Sequence, residues 1–233
     1  ADDGDDDPAM DWTSLRRAME SQHGFRSGRG TRDADFVLSA AVSARRGHGL
    51  STWILYVDFE KAFDRAVRSL LWRWLARLGV PAKLIRLLRA YHANVDVIFS
   101  VGVVQGHLRS LIGILQGDTL APVVYILYKA CVLLAWRRRS AGSSDEGLDS
   151  VVFESDGDLD VQWRKPRRGG AAPPPDLHHG RFVLYDVLFA DDTALLYGTR
   201  HAMLRRAPAF AAHCDACGLR VHRGSAAAPV SKS

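Results

Sequence analysis

Two adjacent aspartates between apolar runs are the residues in this chain best placed to do chemistry. Asp191 and Asp192 follow the β-favouring run 181–189 and precede a similar run, 193–197. This pattern predicts a strand, a tight turn and a second strand. Two neighbouring carboxylates repel each other, and proteins tolerate the repulsion where a cation lies between them or water surrounds them. At the rim of a buried sheet, the pattern favours a bound cation.

A third carboxylate strengthens this interpretation. Asp58 ends the continuous apolar run 53–57, which is typical of a strand covered on both faces. Carboxylate oxygens at strand ends suit Mg²⁺, which proteins usually hold with a few carboxylates and substrate phosphates. Asp58 beside Asp191 therefore predicts a site for two Mg²⁺ ions about 3.5–4 Å apart, as in polymerases and nucleases. Mn²⁺ is the alternative ion.

Four segments of the chain, in order, resemble the motifs of reverse transcriptases. Motif A is Tyr-Val-Asp-Phe-Glu-Lys-Ala-Phe-Asp at 56–64, motif B is Gly-Ile-Leu-Gln-Gly-Asp-Thr-Leu-Ala-Pro at 113–122, and motif C is Phe-Ala-Asp-Asp at 189–192. Upstream, Gln-His-Gly-Phe-Arg-Ser-Gly-Arg-Gly-Thr at 22–31 resembles the segment that precedes motif A in non-LTR (LINE-type) retrotransposon enzymes. Motif A also points to that group, while a group II intron maturase or a retron enzyme stays open.

The resemblance implies an RNA-directed DNA polymerase of a retrotransposon. Asp58, Asp191 and Asp192 would serve two-metal nucleotidyl transfer, in which a primer 3′-hydroxyl attacks the α-phosphate of a deoxynucleoside triphosphate. By the same resemblance, Asp58 and Asp191 bridge both metals and Asp192 supports the site more peripherally. The implied partners are an RNA template, a DNA primer, dNTPs and the rest of a larger retrotransposon polyprotein that includes an endonuclease and a thumb.

Further site residues follow from the resemblance. Phe63 would form an apolar wall that excludes a 2′-hydroxyl, because a hydroxyl pressed against a ring loses its water and gains no partner; core packing is the alternative. Gln116 and Gly117 would contact the incoming nucleotide and the template base. Arg26 and Arg29 would grip template or primer phosphates through salt-dependent contacts, and a solvated basic loop is the alternative.

Composition agrees with an anionic partner. The net charge is +5, although six aspartates lie in the first eleven residues, so the remainder carries about +11, mostly as Arg. Arginine suits phosphate oxygens, although Arg-biased codon usage is an alternative reason for its abundance. Three cysteines are too few for a disulfide framework, which predicts an intracellular protein, in the nucleus or cytoplasm if the element is eukaryotic.

Two site classes are not expected. Cys214 and Cys217 form a lone Cys-x-x-Cys pair, and a zinc site needs two further ligands, so no zinc is expected. The apolar stretch 120–136 is short for a membrane span, which needs about 20 apolar residues. It predicts a buried core helix and no membrane association.

The predicted fold class is α+β, a polymerase palm with a partial fingers region. Helices would pack on one face of a small antiparallel sheet and leave the other face to a duplex. Apolar residues at helical spacing predict an amphipathic helix over 67–78, and a second helix after Pro81 with Leu84, Ile85, Leu88 and Tyr91 inside. Further elements are strands within 94–112, helices from 118 to about 136 and over 201–216, and a strand at 219–222.

The predicted organisation has six parts. They are an acidic, disordered head (1–20), partial fingers (21–52), palm with motifs A and B (53–136), a flexible insertion (137–180), palm with the motif C hairpin (181–222) and a disordered tail (223–233). The insertion includes the basic run 137–139, expected in a flexible loop.

Some features depart from the family pattern. An acidic head stands where relatives carry basic finger motifs, and Gly224–Ala228 stand where relatives carry a lysine that assists pyrophosphate departure. Lys129 stands where relatives more often have an acidic residue, and no thumb is expected within these 233 residues. A catalytically silent or decayed reverse-transcriptase-like fragment that only binds nucleic acid is therefore the main alternative. A metal-dependent nuclease is a second one, although it would not need the Gln116-Gly117 turn.

Overall fold

The computed structural model describes residues 11–93, 95–102, 104–110, 112–115, 117–141, 150–154 and 181–222. The helices are α1 (Trp12–Glu20), α2 (Thr31–Gly47), α3 (Ala62–Arg65), α4 (Arg68–Arg77), α5 (Ala82–Ala93), α6 (Ala121–Ala141) and α7 (Arg200–Ala216). The strands are β1 (Trp53–Val57), β2 (Asp96–Val101), β3 (Val104–Arg109), β4 (Val151–Glu154), β5 (Arg181–Leu184), β6 (Asp186–Phe189) and β7 (Asp192–Tyr197).

A three-stranded antiparallel sheet, in the order β1-β7-β6, carries the acidic motifs. Its side chains alternate between two faces, as the pleat requires. Leu55, Leu195 and Leu188 point into the main core, whereas Ile54 and Leu196 point into a smaller core beneath α2. The main helical layer thus lies on one face, and α2 with the β4–β5 ribbon covers part of the other.

Helix α6 lies at the centre of the main core. Its residues from 124 to 136 are buried on every side except Leu127, which is half-buried. A helix that is apolar all round is stable only when other elements surround it. Here α1 and α7 pack against α6, and α7 also packs against β1 and β7. No helix within the described ranges is long and apolar enough to cross a membrane.

The predicted fold class, a small antiparallel sheet with packed helices, is confirmed by these elements. The amphipathic helix is α4, whose buried Leu71, Trp74 and Leu75 lie on the predicted stripe. The central and last helices are α6 and α7. The segment 219–222 contributes a single antiparallel bridge, between Phe59 and Val221, at the end of β1.

The structure corrects the boundary of the acidic head. Residues 12–20 form α1, which buries Leu15 and Ala18. Asp11 caps the helix, because its carboxylate accepts a hydrogen bond from the Ser14 amide. A side-chain cap of this kind satisfies one of the free amides of the first turn. The rest of the predicted head, like the predicted tail at 223–233, lies outside the described residues.

The predicted flexible insertion is wrong in both of its described segments, 137–141 and 150–154. Residues 137–141 continue α6, and β4 pairs with β5 as an antiparallel ribbon. Arg137 was expected in a flexible loop, but its guanidinium lies 2.5 Å from the carboxylate of buried Asp186 and over the Tyr185 ring. Arg138 pairs with Asp11. Burial of an acidic partner explains why this end of the insertion is ordered.

Two smaller expectations are also corrected. The run before the acidic pair is two strands, because the chain leaves β5 at Tyr185 and β6 then pairs with β7. In α5, Ile85 is buried, but Leu84 is 46% and Tyr91 is 49% exposed, so they do not lie inside the core.

Candidate active site

The acidic pair lies on a two-residue hairpin turn. Phe189 in β6 pairs with Asp192 in β7, so Ala190 and Asp191 form the tip. The backbone of Ala190 has a φ of 53°, in the left-handed region that residues with a Cβ rarely adopt. The surrounding structure must therefore hold this turn in place.

Lys129 holds the turn from inside the protein. Its ammonium donates hydrogen bonds to the carbonyl oxygens of Ala190, Asp191 and Asp192, at 2.8, 3.0 and 2.9 Å. The side chain is 1% exposed. Burial lowers the pKa of Lys129 to about 7, and the charge of Asp191 opposes that change. The sequence marked Lys129 only as a departure from the family pattern.

Gln22 and Gly24 hold the turn from the other side. The Gln22 side chain accepts a hydrogen bond from the Ala190 amide at 3.0 Å and donates one to the Ala190 carbonyl at 3.2 Å. Residues 21–23 run beside β6, bonded through both main-chain groups of Leu188. A Cβ on Gly24 would lie 2.9 Å from the Cα of Ala190, so only glycine fits without displacement of the turn.

Motif A brings its carboxylate to the same edge of the sheet. Val57 pairs with Thr193, and the same antiparallel register sets Asp58 opposite Asp192. The carbonyl of Asp58 accepts a hydrogen bond from the His222 amide at 2.8 Å. Asp58 and Asp192 are exposed, and both line a cavity of about 470 Å³ between the sheet and α2.

Asp191 lines a neighbouring cavity of about 480 Å³. Phe25, Phe63 and Gly117 are among its other lining residues. The Phe63 ring stacks on Tyr125, with centroids 4.3 Å apart. Burial raises the pKa of Tyr125, and the charges of Asp191 and Asp58 raise it further, so both carboxylates act on one buried hydroxyl. The cavity thus combines an aromatic wall, a glycine turn and a carboxylate.

A family model described as reverse transcriptase (RNA-dependent DNA polymerase) matches residues 9–224. The chain belongs to this family. No curated protein matches it significantly.

Two solved telomerase structures resemble this reverse transcriptase domain. Apo telomerase from Candida tropicalis, truncated from the C-terminal domain, matches with a TM-score of 0.51 and 12% identity over 91% of this chain and 37% of that one. Telomerase from Candida albicans, in complex with the TWJ fragment of telomeric RNA, matches with a TM-score of 0.54 and 12% identity over 91% of this chain and 33% of that one. The domain therefore spans about a third of their length, and the likeness concerns the fold.

The two arginines predicted to grip phosphates make internal contacts in the reverse transcriptase domain. Arg29 lies 2.5 Å and Arg26 3.7 Å from the carboxylate of Glu20, and Arg26 also donates to the Met19 carbonyl. These ion pairs hold the loop after α1, and phosphate binding through either guanidinium would compete with Glu20. Their contact with nucleic acid stays a prediction.

The motif B loop is held by a second buried cation. Arg68, on α4, donates hydrogen bonds to the carbonyls of Gly113, His92 and Ser110, the last two at 2.8 and 3.0 Å. Gly113 and Gly117 have φ of 85° and 86°, a region that favours glycine. Gln116 lies outside the described residues. In the sequence, Arg68 is only a charged position within the predicted amphipathic helix 67–78.

The donor set at the sheet edge fits a hard divalent cation. Within the described ranges, no group of three His, Cys, Asp or Glu side chains forms a ready metal cluster. Proteins hold Mg²⁺ with one or two carboxylates while waters and substrate phosphates complete the shell. Asp58 and Asp191 supply such oxygens. His213 and Cys214, by contrast, are buried on α7 in the main core.

Proposed function

We propose that the domain is an RNA-directed DNA polymerase of the non-LTR retrotransposon type, which extends a primer 3′-hydroxyl with dNTPs. The observation that supports this most is the convergence of motifs A and C at one sheet edge. Asp58 follows β1, and Asp191 lies on the neighbouring β6–β7 turn and lines the cavity that also contains Phe63 and Gly117. Family membership supports RNA-directed DNA polymerisation as the reaction class. The residues of motif A, 56–64, support the retrotransposon origin.

The proposed roles divide between the two cavities. Asp191 from one cavity and Asp58 from the other would hold Mg²⁺ or Mn²⁺, and Asp192, which lines the same cavity as Asp58, would support them more peripherally. Bound metal would activate the primer hydroxyl and neutralise charge on the triphosphate. Phe63 would contact the sugar, and its stacking on Tyr125 would fix the orientation of the Phe63 ring. Gly117, with Gln116, would let the backbone approach the nucleotide.

Primer extension tests the proposal and separates its rivals. The protein is mixed with a labelled DNA primer on an RNA template, dNTPs and Mg²⁺ or Mn²⁺, and lengthened and shortened products are both recorded. Asp191→Asn removes one ligand charge at almost constant volume. Asp215→Asn is the matched control, because Asp215 is exposed on α7 and lines neither cavity.

The proposal expects extension by the wild type and by Asp215→Asn. In Asp191→Asn it expects a loss of about 10³-fold, since metal stabilisation of transition-state charge is worth several kcal/mol. Shortened products that depend on Asp191 would indicate a nuclease. A folded protein that binds the RNA–DNA duplex without extending the primer would indicate the silent, nucleic-acid-binding alternative.

A further inference from the structure

We infer that Lys129 is a positioning residue that sets the backbone of the catalytic turn, so that the carboxylates of Asp191 and Asp192 project correctly. The description of this turn as catalytic rests on the proposed function. The geometry on which the inference stands is independent of that function.

The ammonium of Lys129 has one N–H donor for each of three carbonyl acceptors in the turn. A lysine ammonium has three N–H donors and no acceptor. Three carbonyls of consecutive residues, 190 to 192, lie within 3.0 Å of this nitrogen. A fully buried charge is tolerated when its hydrogen bonds are complete. Three successive carbonyls can converge on one atom only when the chain is tightly curved, so the ammonium selects the curved form.

Two further contacts connect the same ammonium to the rest of the site. The nitrogen lies 5.9 Å from the centroid of the Phe59 ring, directly after Asp58 in motif A. It also shares the Ala190 carbonyl with the side-chain amide of Gln22. Lys129 therefore contacts both acidic motifs from beneath and leaves the carboxylates free to face the cavities.

Positioning and simple charge predict opposite results for a neutral variant. If Lys129 acted only as a positive charge near the carboxylates, its removal would strengthen binding of a divalent cation. If Lys129 sets the turn, its removal lets the turn relax and weakens that binding. Lys129→Met separates the two, because methionine keeps much of the apolar stem and removes the donors.

The experiment compares wild type, Lys129→Met and Lys83→Met. Lys83 is exposed on α5 and lines neither cavity, so it controls for loss of a lysine charge. Binding of Mn²⁺ is measured by electron paramagnetic resonance without nucleotide, and single-nucleotide incorporation gives kcat and the KM for dNTP. Circular dichroism establishes that each variant is folded.

The inference expects weaker Mn²⁺ binding and a lower kcat in Lys129→Met, each by about 10–100-fold, as when groups that orient metal ligands are removed. The KM for dNTP should change little, and Lys83→Met should match the wild type. Unchanged or tighter Mn²⁺ binding in folded Lys129→Met would overturn the inference. Because Mn²⁺ binding is read without turnover, an inactive wild type would count against the proposed function and leave this test intact.

A measurement on the wild type covers the case in which Lys129→Met does not fold. In a ¹⁵N-labelled sample, one lysine ammonium should exchange slowly with water and show contacts to the amides of Asp191 and Asp192. If no lysine gives such a signal, the ammonium is not held by the turn and the inference is wrong.

Discussion

Two buried cations hold the two halves of the candidate site, and they do so differently. Lys129 donates to three consecutive carbonyls of one turn, residues 190 to 192. Arg68 donates to carbonyls at the end of α5, after β3 and in the motif B loop. Lys129 therefore shapes a single turn, whereas Arg68 joins three separate segments of the chain. The difference predicts that loss of Arg68 affects mainly the fold and loss of Lys129 affects mainly the chemistry.

The largest expected effect on stability is that of Arg68→Met. Each carbonyl left buried without a partner costs about 1–3 kcal/mol, and the three segments would also separate, so the free energy of unfolding should fall by about 4 kcal/mol. Arg73→Met, at an exposed position on the same helix, should stay within about 0.5 kcal/mol. Urea denaturation measures both. Equal effects of the two substitutions would contradict the role given to Arg68.

Alanine substitutions at two glycines test the motif B loop and the acidic turn, because an added Cβ would clash with the neighbouring backbone. A Cβ on Gly113 would lie 2.8 Å from the Cα of Asp64, at a φ of 85°, so Gly113→Ala should cost about 3 kcal/mol. Gly24→Ala should cost about 2 kcal/mol through its clash with Ala190. Gly47→Ala is the control, because nothing lies near that Cβ in α2, and it should stabilise slightly. Thermal unfolding compares the three variants, and a Gly24→Ala protein as stable as Gly47→Ala would refute the tight contact.

A smaller loss of stability is expected for Lys129→Met, about 1–2 kcal/mol, because removal of the ammonium also removes the cost of burying its charge. Chemical denaturation should show this loss beside the larger one for Arg68→Met. If Lys129→Met were the more destabilising of the two, Lys129 would be mainly a structural residue and the contrast between the cations would fail.

The smallest effect is expected from His23, which lies beside the turn. Burial lowers the pKa of His23, and the charge of Arg29 lowers it further. Its folded pKa is thus below the unfolded value of about 6.5, so the unfolded chain binds more protons as pH falls. Stability should be full above about pH 6.5 and decrease as pH falls through the folded pKa. His23→Gln should flatten the dependence of Tm on pH in that window, and an unchanged dependence would assign the acid loss to other groups.

Periodicity and motif spacing were sufficient to predict much of the fold. The stripe of α4, the central helix α6 and the strands that carry Asp58 and Asp191 follow from local patterns, because helix and strand periods are properties of short segments. The three carboxylates were also visible from sequence. Their use for catalysis stays a prediction.

The supports of the site could not be predicted, because they depend on partners far apart in the chain. Lys129 meets acceptors 61 to 63 residues away, Arg68 meets one 45 residues away, and Arg137 meets Asp186 across 49 residues. Charged side chains are mostly exposed in proteins, so the sequence shows each charge but not the acceptors that it meets. Only the fold reveals that buried carbonyls and a buried carboxylate surround them.

Single-nucleotide extension of a DNA primer on an RNA template is the most direct test of the central claim. The account predicts Mg²⁺- or Mn²⁺-dependent incorporation of the templated dNTP by the wild type, reduced about 10³-fold in Asp191→Asn and unchanged in Asp215→Asn. Folded wild type that binds the duplex but incorporates nothing, or equal incorporation by wild type and Asp191→Asn, would contradict it.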